Sequence, residues 1–526
     1  MSVEEVSPLK PGLVVGLAMH IGTKKNQAIQ ILKDELQTYG YDTIVVKPTS
    51  IIEEARLQSL VPPSKRKTQK ADLSDFEDRY HQLIDICNAL SERVTPDFLA
   101  RIAVRQIMAK RDQYEAGGGK RPVAFIIDQL KRPKEVEHLR GVYGERFVLL
   151  SLQAPIRERE NTLARDIAKS LSQNVTQRDH ASALLLMSRD REEMENDHGQ
   201  RAELVFSQGD VIVNISKKQK IEYTIDHFLR AFFGDNVSPT MDEYGMFAAW
   251  SAAYRSSDMS RQVGAAIFTS KMEVLALGCN EVPKPGGGTY FRDAEGDLSG
   301  TPDYEIGVDR NAELKDTLGR NAISEVVGKL LPDMIIKDSD IRKVLSSETL
   351  LLNDITEFGR AVHAEMNAIT DAARCGTSLR GATLYCTTFP CHNCAKHIVA
   401  SGIKRVVYIQ PYPKSQAGDL YPDSIEIDPK SPNHDLVTFT PHVGIAPSIY
   451  VKTYKRGRSK GPDGRATEFE RQKAQPPVPT SDIGFGQNEK ASAAELLLYA
   501  NQMPKGNKKY KDAIKSCLKA IQAQIG

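Results

Sequence analysis

Two short stretches, His363-Ala364-Glu365 and Pro390-Cys391-His392-Asn393-Cys394, restrict the fold more than anything else in the chain. One imidazole and two thiols are donors that suit zinc. Three ligands leave a fourth tetrahedral position open, as a catalytic ion needs and a structural one does not. A structural knuckle would want a fourth Cys or His at matching spacing. His392 falls between the two cysteines, and His397 lies three residues beyond Cys394. Cys391 and Cys394 share a face if they lie on a helix, and at a helix start their thiolates are favoured by the positive end of the dipole. His363 and Glu365 are two apart, which in mid-helix would point them away from each other. The spacing therefore predicts that both belong to a first turn. A strand predicted over 382–387 returns the chain so that the two helix starts meet.

The 526 residues suggest two or more domains, and 40% apolar residues suffice for ordinary cores. A net charge of +2 argues against a general nucleic-acid binder. No stretch approaches the roughly 20 apolar residues of a membrane span, and residues 1–10 have no apolar signal core. Seven cysteines, an odd number spread over a long chain, do not make a disulfide framework; they suit a reducing cytoplasm.

The first half alternates strand and helix patterns, which predicts a parallel sheet with helices on both faces. Strands are expected at 12–17, 43–46, 123–127, 146–152 and 210–215. A helix is expected at 25–39, with Ala28, Ile29, Leu32 and Leu36 inward and Gly40 as its stop. The run Gly16-Leu17-Ala18-Met19-His20-Ile21-Gly22-Thr23 sits between first strand and first helix, where backbone N–H groups favour an anion. It departs from G-x-x-x-x-G-K-[ST]: the glycine spacing is one residue longer and no Lys separates Gly22 from Thr23. Lys24 or Lys25 stands nearby instead, and a plain glycine turn is the alternative. Asp128, at the end of a buried strand, stands where a magnesium-supporting carboxylate belongs. Arg157, Arg159 and Arg165 suit either a phosphate cover or a solvated helix face. This order, over residues 10–235, resembles the P-loop nucleoside and nucleotide kinases. The resemblance implies a site for ATP or another nucleotide with Mg2+, built on Gly16, Gly22, Thr23, Lys24 and Asp128. The degenerate motif favours nucleotide sensing or a weakened NTPase. Residues 61–70 and 190–201 read as exposed, charged surface segments.

A boundary is expected at 234–240, followed by a helix capped by Thr240 with Glu243 three residues on, and with Met246, Phe247, Trp250 and Tyr254 as its core stripe. Strands at 263–269 and 273–278 form a hairpin. A long insertion of no evident role occupies about 283–353. Helix 363–373, strand 382–387, helix 391–401 and strands 405–409 and 436–439 follow, so the second domain is placed at 239–452. Residues 455–480, rich in charge, glycine and proline, read as a mobile linker, and 487–526 as two C-terminal helices, their basic face at 505–511 solvated.

H-x-E followed by P-C-x-x-C is the signature of zinc deaminases acting on nucleobases. The stretches His363 to Ile369 and Thr383 to Lys396, with Arg261-Gln262-Val263-Gly264-Ala265-Ala266, Gly278-Cys279-Asn280 and Val443-Gly444-Ile445, resemble deoxycytidylate deaminases over about 240–452 outside the insertion. The resemblance implies a cytidine-deaminase-like α/β/α sandwich after the kinase-like domain. It implies one zinc ion on His363, Cys391 and Cys394, with Glu365 carrying protons between the attacking water, ring N3 and the leaving amine. It also implies that Asn280 contacts the sugar and that Arg261 lies near the phosphate. Asn367 either faces the pocket or holds the helix in place. The pairing of the two domains resembles bacterial anti-phage dCTP deaminases. That implies free deoxycytidine nucleotides, dCTP and dCMP, as substrates, depletion of dCTP during infection, and a first domain acting as sensor or gate. The trigger, a regulatory RNA or a phage factor among the candidates, stays open. Deoxycytidylate deaminases commonly assemble, so a homo-oligomer such as a hexamer is expected. A housekeeping dCMP deaminase is the nearest rival. A polynucleotide deaminase would need a basic, aromatic-lined path, against which stand the +2 charge and 7% aromatic content. A non-catalytic nucleotide-binding regulator would have no use for Glu365.

Overall fold

The computed structural model describes residues 11–524 except 56, 61–75, 192–198, 292–301, 332–336, 348–357, 413, 430–432, 434, 456, 458, 478–483 and 503–506. The predicted loop at 61–70 lies outside the described residues. The fold is mixed α/β, with two six-stranded, parallel-dominated sheets. It divides into two compact units, Met1–Pro239 with Val443–Gly526, and Thr240–His442.

The first unit is built around β1 (Leu13–Met19), whose seven residues are all buried. The chain then adds β2 (Asp42–Val46), β3 (Val123–Leu130), β4 (Phe147–Gln153) and β5 (Val211–Asn214) in the spatial order β5-β4-β1-β3-β2, every pair parallel. An apolar run without alternation is what burial on both faces demands. The path goes from β1 to the edge, back to β3, then across to β4. The carboxyl ends of β1, β3 and β4 therefore frame a topological switch point, where such sheets bind ligands. Helix Asn26–Thr38 starts there. It buries Ala28, Ile31, Leu32 and Leu36, with Ile31 inward where the sequence pattern had placed Ile29. Gly40, at φ 80°, ends it.

The second unit carries β6 (Gly264–Phe268), β7 (Val274–Cys279), β8 (Thr383–Thr388), β9 (Arg405–Gln410), β10 (Ile425–Ile427) and β11 (Val437–Pro441), in the order β10-β11-β9-β8-β6-β7. β6 is antiparallel to β7 and β8, and the remaining pairs are parallel. Alternate residues of β6 face opposite sides. Ala265 and Ile267 join Ala364, Ala368 and Ile398 in one core, while Phe268 meets the rings of Tyr244 and Tyr385 on the other face. Helix Met241–Ala253 covers that other face, and its N-terminus has the expected capping box of Thr240 with Glu243. Its buried stripe is Gly245, Met246, Ala249 and Ala253, not the aromatic one read from the sequence. The reason is closeness. A Cβ on Gly264 would sit 1.9 Å from the Ala249 carbonyl oxygen, and one on Gly245 would meet the Tyr385 ring at 2.4 Å. Small residues are needed at positions 245 and 264 of that seam, and Trp250 stays half-buried, its indole N–H donating to the Tyr254 hydroxyl at 3.1 Å.

Residues 443–452, assigned above to the second domain, belong to the first unit. A two-residue strand, β12 (Gly444–Ile445), pairs antiparallel with β5, and Ile445 is buried in the core around β1. The domain boundary therefore moves back to 442. Residues 455–480 are also not a free linker where they are described. Phe469 and Ala474 pack on the same core, and Arg471 reaches Asp226 at 2.6 Å and Glu35 at 3.1 Å. The Arg471 charge has distant protein partners, which composition alone cannot distinguish from a charge that faces water. The C-terminal helices Gly484–Gln502 and Lys508–Ala523 share a core with helix Phe98–Ala116, through Leu496, Ile514, Cys517 and Ile102. Asp190, expected at the surface, is buried and holds Lys131 Nζ at 2.6 Å.

Candidate active site

β8 delivers the chain to Cys391, the N-cap of helix His392–Ala400, whose sulfur accepts from the Cys394 N–H at 3.4 Å. Beside it, His363 is the N-cap of helix Ala364–Arg374, so Glu365 lies in the first turn. Gly278 on β7 makes this approach feasible, because a Cβ there would stand 2.2 Å from the Ala364 carbonyl oxygen. His363 Nδ1 lies 3.3 Å from Cys391 Sγ and 3.4 Å from Cys394 Sγ. All three ligand atoms fall within 4.8 Å of one another. For Zn–S near 2.3 Å and Zn–N near 2.0 Å in a tetrahedron, N···S separations of about 3.5 Å are required. The donor set and its spacing thus fit zinc.

The electrostatics agree with a ligand cluster. The hydrogen bond with Cys394, and then the imidazole of His363, hold the Cys391 thiol down at about 4. The bond with Cys391 lifts His363 to about 9. Both shifts come from the mutual contact of Cys391 and His363, two of the groups that would hold a metal ion. Glu365 is 4% exposed, and burial raises its pKa. Its Oε2 lies 3.7 Å from Cys394 Sγ. A carboxyl group raised in this way, beside three metal donors, is suited to take up and release a proton.

His363, Glu365 and Cys391 form the floor of a cavity of about 220 Å³, whose walls include Asn280, Arg261, Phe389 and Tyr412, while Cys394 is buried outside the lining. Asn280 lines it while bracing the chain: its Oδ1 accepts from the Val263 N–H at 2.7 Å and its Nδ2 donates to the Arg261 carbonyl at 2.7 Å. Arg261 is at the exposed rim, its guanidinium 5.6 Å from the Tyr412 ring centre. Asn367 is buried away from the lining and donates to the Cys279 carbonyl at 2.8 Å, which ties the helix to β7. Among the lining residues that the sequence reading missed are Asp303, Asp309 and Arg360. The first two belong to the insertion, where no motif marks them. Arg360 stands three residues before His363, a position without helical geometry to signal it.

The other predicted site divides. Gly16 lies inside β1, where a Cβ would meet Phe147 at 2.8 Å and Leu130 at 2.9 Å; it is a packing glycine of the sheet and does not reach the turn. Gly22, Thr23, Lys24 and Lys25 do line a cavity at the switch point. Gly22 has φ 82°, and Thr23 Oγ1 is buried with no hydrogen-bond partner among the described residues. Lys24 is exposed, whereas Lys25 Nζ reaches Asp128 Oδ1 at 2.6 Å.

A sheet covered on both faces, with two helix N-termini bringing one histidine and two cysteines together next to a buried glutamate at a cavity, defines a class of α/β/α metal-site domains. Residues 239–410 match the family described as the cytidine and deoxycytidylate deaminase zinc-binding region. A deoxycytidylate deaminase of Mycobacterium phage D29 is 30% identical over 172 residues, 32% of this chain and 94% of the relative. Those of Enterobacteria phages T2 and T4 are 34% and 42% identical, over 23% and 16% of this chain and 64% and 45% of the relatives. The chain thus spans less than two thirds of the T2 and T4 enzymes. It belongs to the cytidine and deoxycytidylate deaminase family.

Proposed function

We propose that the chain is a zinc-dependent deaminase of free deoxycytidine nucleotides, dCTP and dCMP, releasing deoxyuridine nucleotides and ammonia. The observation that carries this is the meeting of His363 Nδ1 with two cysteine sulfurs, 3.3 and 3.4 Å away, next to buried Glu365. When bound by His363, Cys391 and Cys394, zinc supplies a Lewis acid that makes a water nucleophilic near neutral pH. Glu365 accepts a proton from the attacking water and passes it to ring N3 as the C4–O bond forms. It then carries the second proton, from the new C4 hydroxyl, to the amino nitrogen as the C4–N bond breaks, so the water oxygen stays as the C4 carbonyl and ammonia leaves. Asn280, whose amide is pinned by the backbone at 261–263, orients the sugar, and Arg261 meets the phosphate at the rim.

The second part of the proposal concerns the setting. The joining of a kinase-like unit to this domain supports an anti-phage role in the cytoplasm, in which dCTP is depleted and the first unit senses a nucleotide with Mg2+ through Gly22, Thr23 and Asp128. A homo-oligomer is part of the same reading. Incubating the zinc-loaded chain separately with dCTP, dCMP, CTP and single-stranded DNA tests the activity. Uracil products from the deoxynucleotides are expected; deamination of DNA alone overturns it. Substituting Gly22, Thr23 or Asp128 tests the setting, with changed activity in cells and unchanged zinc content expected.

A further inference from the structure

An ion pair links the insertion to the residues just before His363. Arg360 Nη1 donates to Asp303 Oδ1 at 2.7 Å, and both residues line the cavity. Arg360 is held in place from the other side as well. Two residues on, Val362 pairs with Glu281 in an antiparallel bridge, N–H to carbonyl at 3.0 and 3.2 Å in the two directions. Val362 immediately precedes His363, so the backbone is anchored between Arg360 and that ligand candidate. Arg261 and Arg360 are the only Lys or Arg residues in the described lining.

We propose that Arg360 binds the 5′-phosphate end of the nucleotide, and that Asp303 of the insertion is a positioning residue that aims it. This rests on the deaminase reading above. With the amidine carbon of the base at Glu365, the sugar and phosphates must lead from the floor toward the rim. A guanidinium has five N–H donors in a planar fork, and its bond to Asp303 through Nη1 fixes the fork's orientation. The field at the rim does not attract phosphate by itself, since Asp258, Asp303 and Asp309 outnumber the two arginines. Two of these carboxylates serve the backbone. Asp258 accepts from the N–H groups of Ser260 and Arg261, and Asp309 from those of Asn311 and Ala312. Recognition must therefore come from directed contact, which selects for a phosphate at one place along the substrate. In this arrangement the insertion helps to decide which nucleotides the deaminase accepts.

The test is calorimetric binding of deoxycytidine, dCMP and dCTP to the full-length, zinc-loaded chain, together with KM and kcat for each. The wild-type chain should prefer the phosphorylated ligands. Arg360→Ala should shrink that preference by at least about tenfold, with the loss in KM rather than kcat. Arg360→Lys should restore part of it, and Asp303→Asn should produce a smaller loss of the same kind. Zinc content and melting temperature of every variant report on folding. An unchanged preference in Arg360→Ala overturns the proposal, as does an equal loss for deoxycytidine and dCMP with zinc retained. A wild-type chain that binds none of the three overturns the deaminase reading itself, not the assignment of this arginine.

Discussion

The two candidate sites are both built where a strand hands over to a helix start, yet they treat their functional groups in opposite ways. In the second unit, His363 and Cys391 cap two helices, Glu365 follows in the first turn, and all face one cavity. Their contacts are mainly with one another, at distances a metal ion can bridge. In the first unit, the turn after β1 spends its charges inside the protein. Lys25 meets Asp128, Lys131 meets Asp190 at 2.6 Å while also donating to the Met19 carbonyl, and His20 meets Glu203 at 3.0 Å. A ligand cluster of the first kind is preorganised. An anion at the turn after β1 would have to compete with Asp128 for Lys25, which would cost part of its binding energy. The contrast is between groups that meet one another at a cavity and groups already paired within their own unit.

The largest effects belong to the preorganised site. Cys391→Ala or His363→Ala should reduce bound zinc to below about a tenth of the chain's content, with deamination undetectable, as read by metal analysis and ammonia release. Glu365→Gln should keep zinc and lower kcat by about 10²–10⁴-fold, the range of general acid–base catalysis. If Glu365→Gln lost zinc instead, the division of labour between ligand and proton carrier would fail. On the other side of the comparison, Asp128→Asn frees Lys25 from its partner. It should change nucleotide binding to the first unit by about tenfold or less, and leave zinc content unchanged.

Much of the second unit was legible because its chemistry and its geometry use the same residues. Two spacings, His363 to Glu365 and Cys391 to Cys394, specified helix starts as well as ligands. The insertion was not legible. Asp303 acts through Arg360, 57 residues away in sequence, and no periodicity links them. The first unit misled for a related reason. Gly16 is a glycine because Phe147 and Leu130 crowd it, not because a phosphate approaches. Glycine records only that a Cβ is excluded, and the sequence does not say by what. Charge-rich stretches at 190–201 and 455–480 misled similarly. Asp190 and Arg471 have partners that come from distant parts of the chain.

A smaller effect tests how the sheet beneath the cavity is fastened. Asp242 accepts both guanidinium nitrogens of Arg405 at 2.7 Å and the Tyr385 hydroxyl at 3.0 Å. Burial pushes its carboxyl pKa up, but the bonds from Arg405 and Tyr385 outweigh that and hold it below the ordinary value. A carboxylate with a depressed folded-state pKa adds stability that is fully present above the unfolded value of about 3.9 and is lost as pH falls through the folded one. Asp242→Asn should therefore lower the melting temperature at pH 7, and the gap to wild type should close as pH drops below about 4. Because β8 and β9 reach this pair from the face opposite the metal ligands, zinc content at pH 7 should not change. A gap that stays constant with pH would mean that Asp242 acts by packing, and that the charge on this face of the sheet contributes nothing to holding the catalytic face in place.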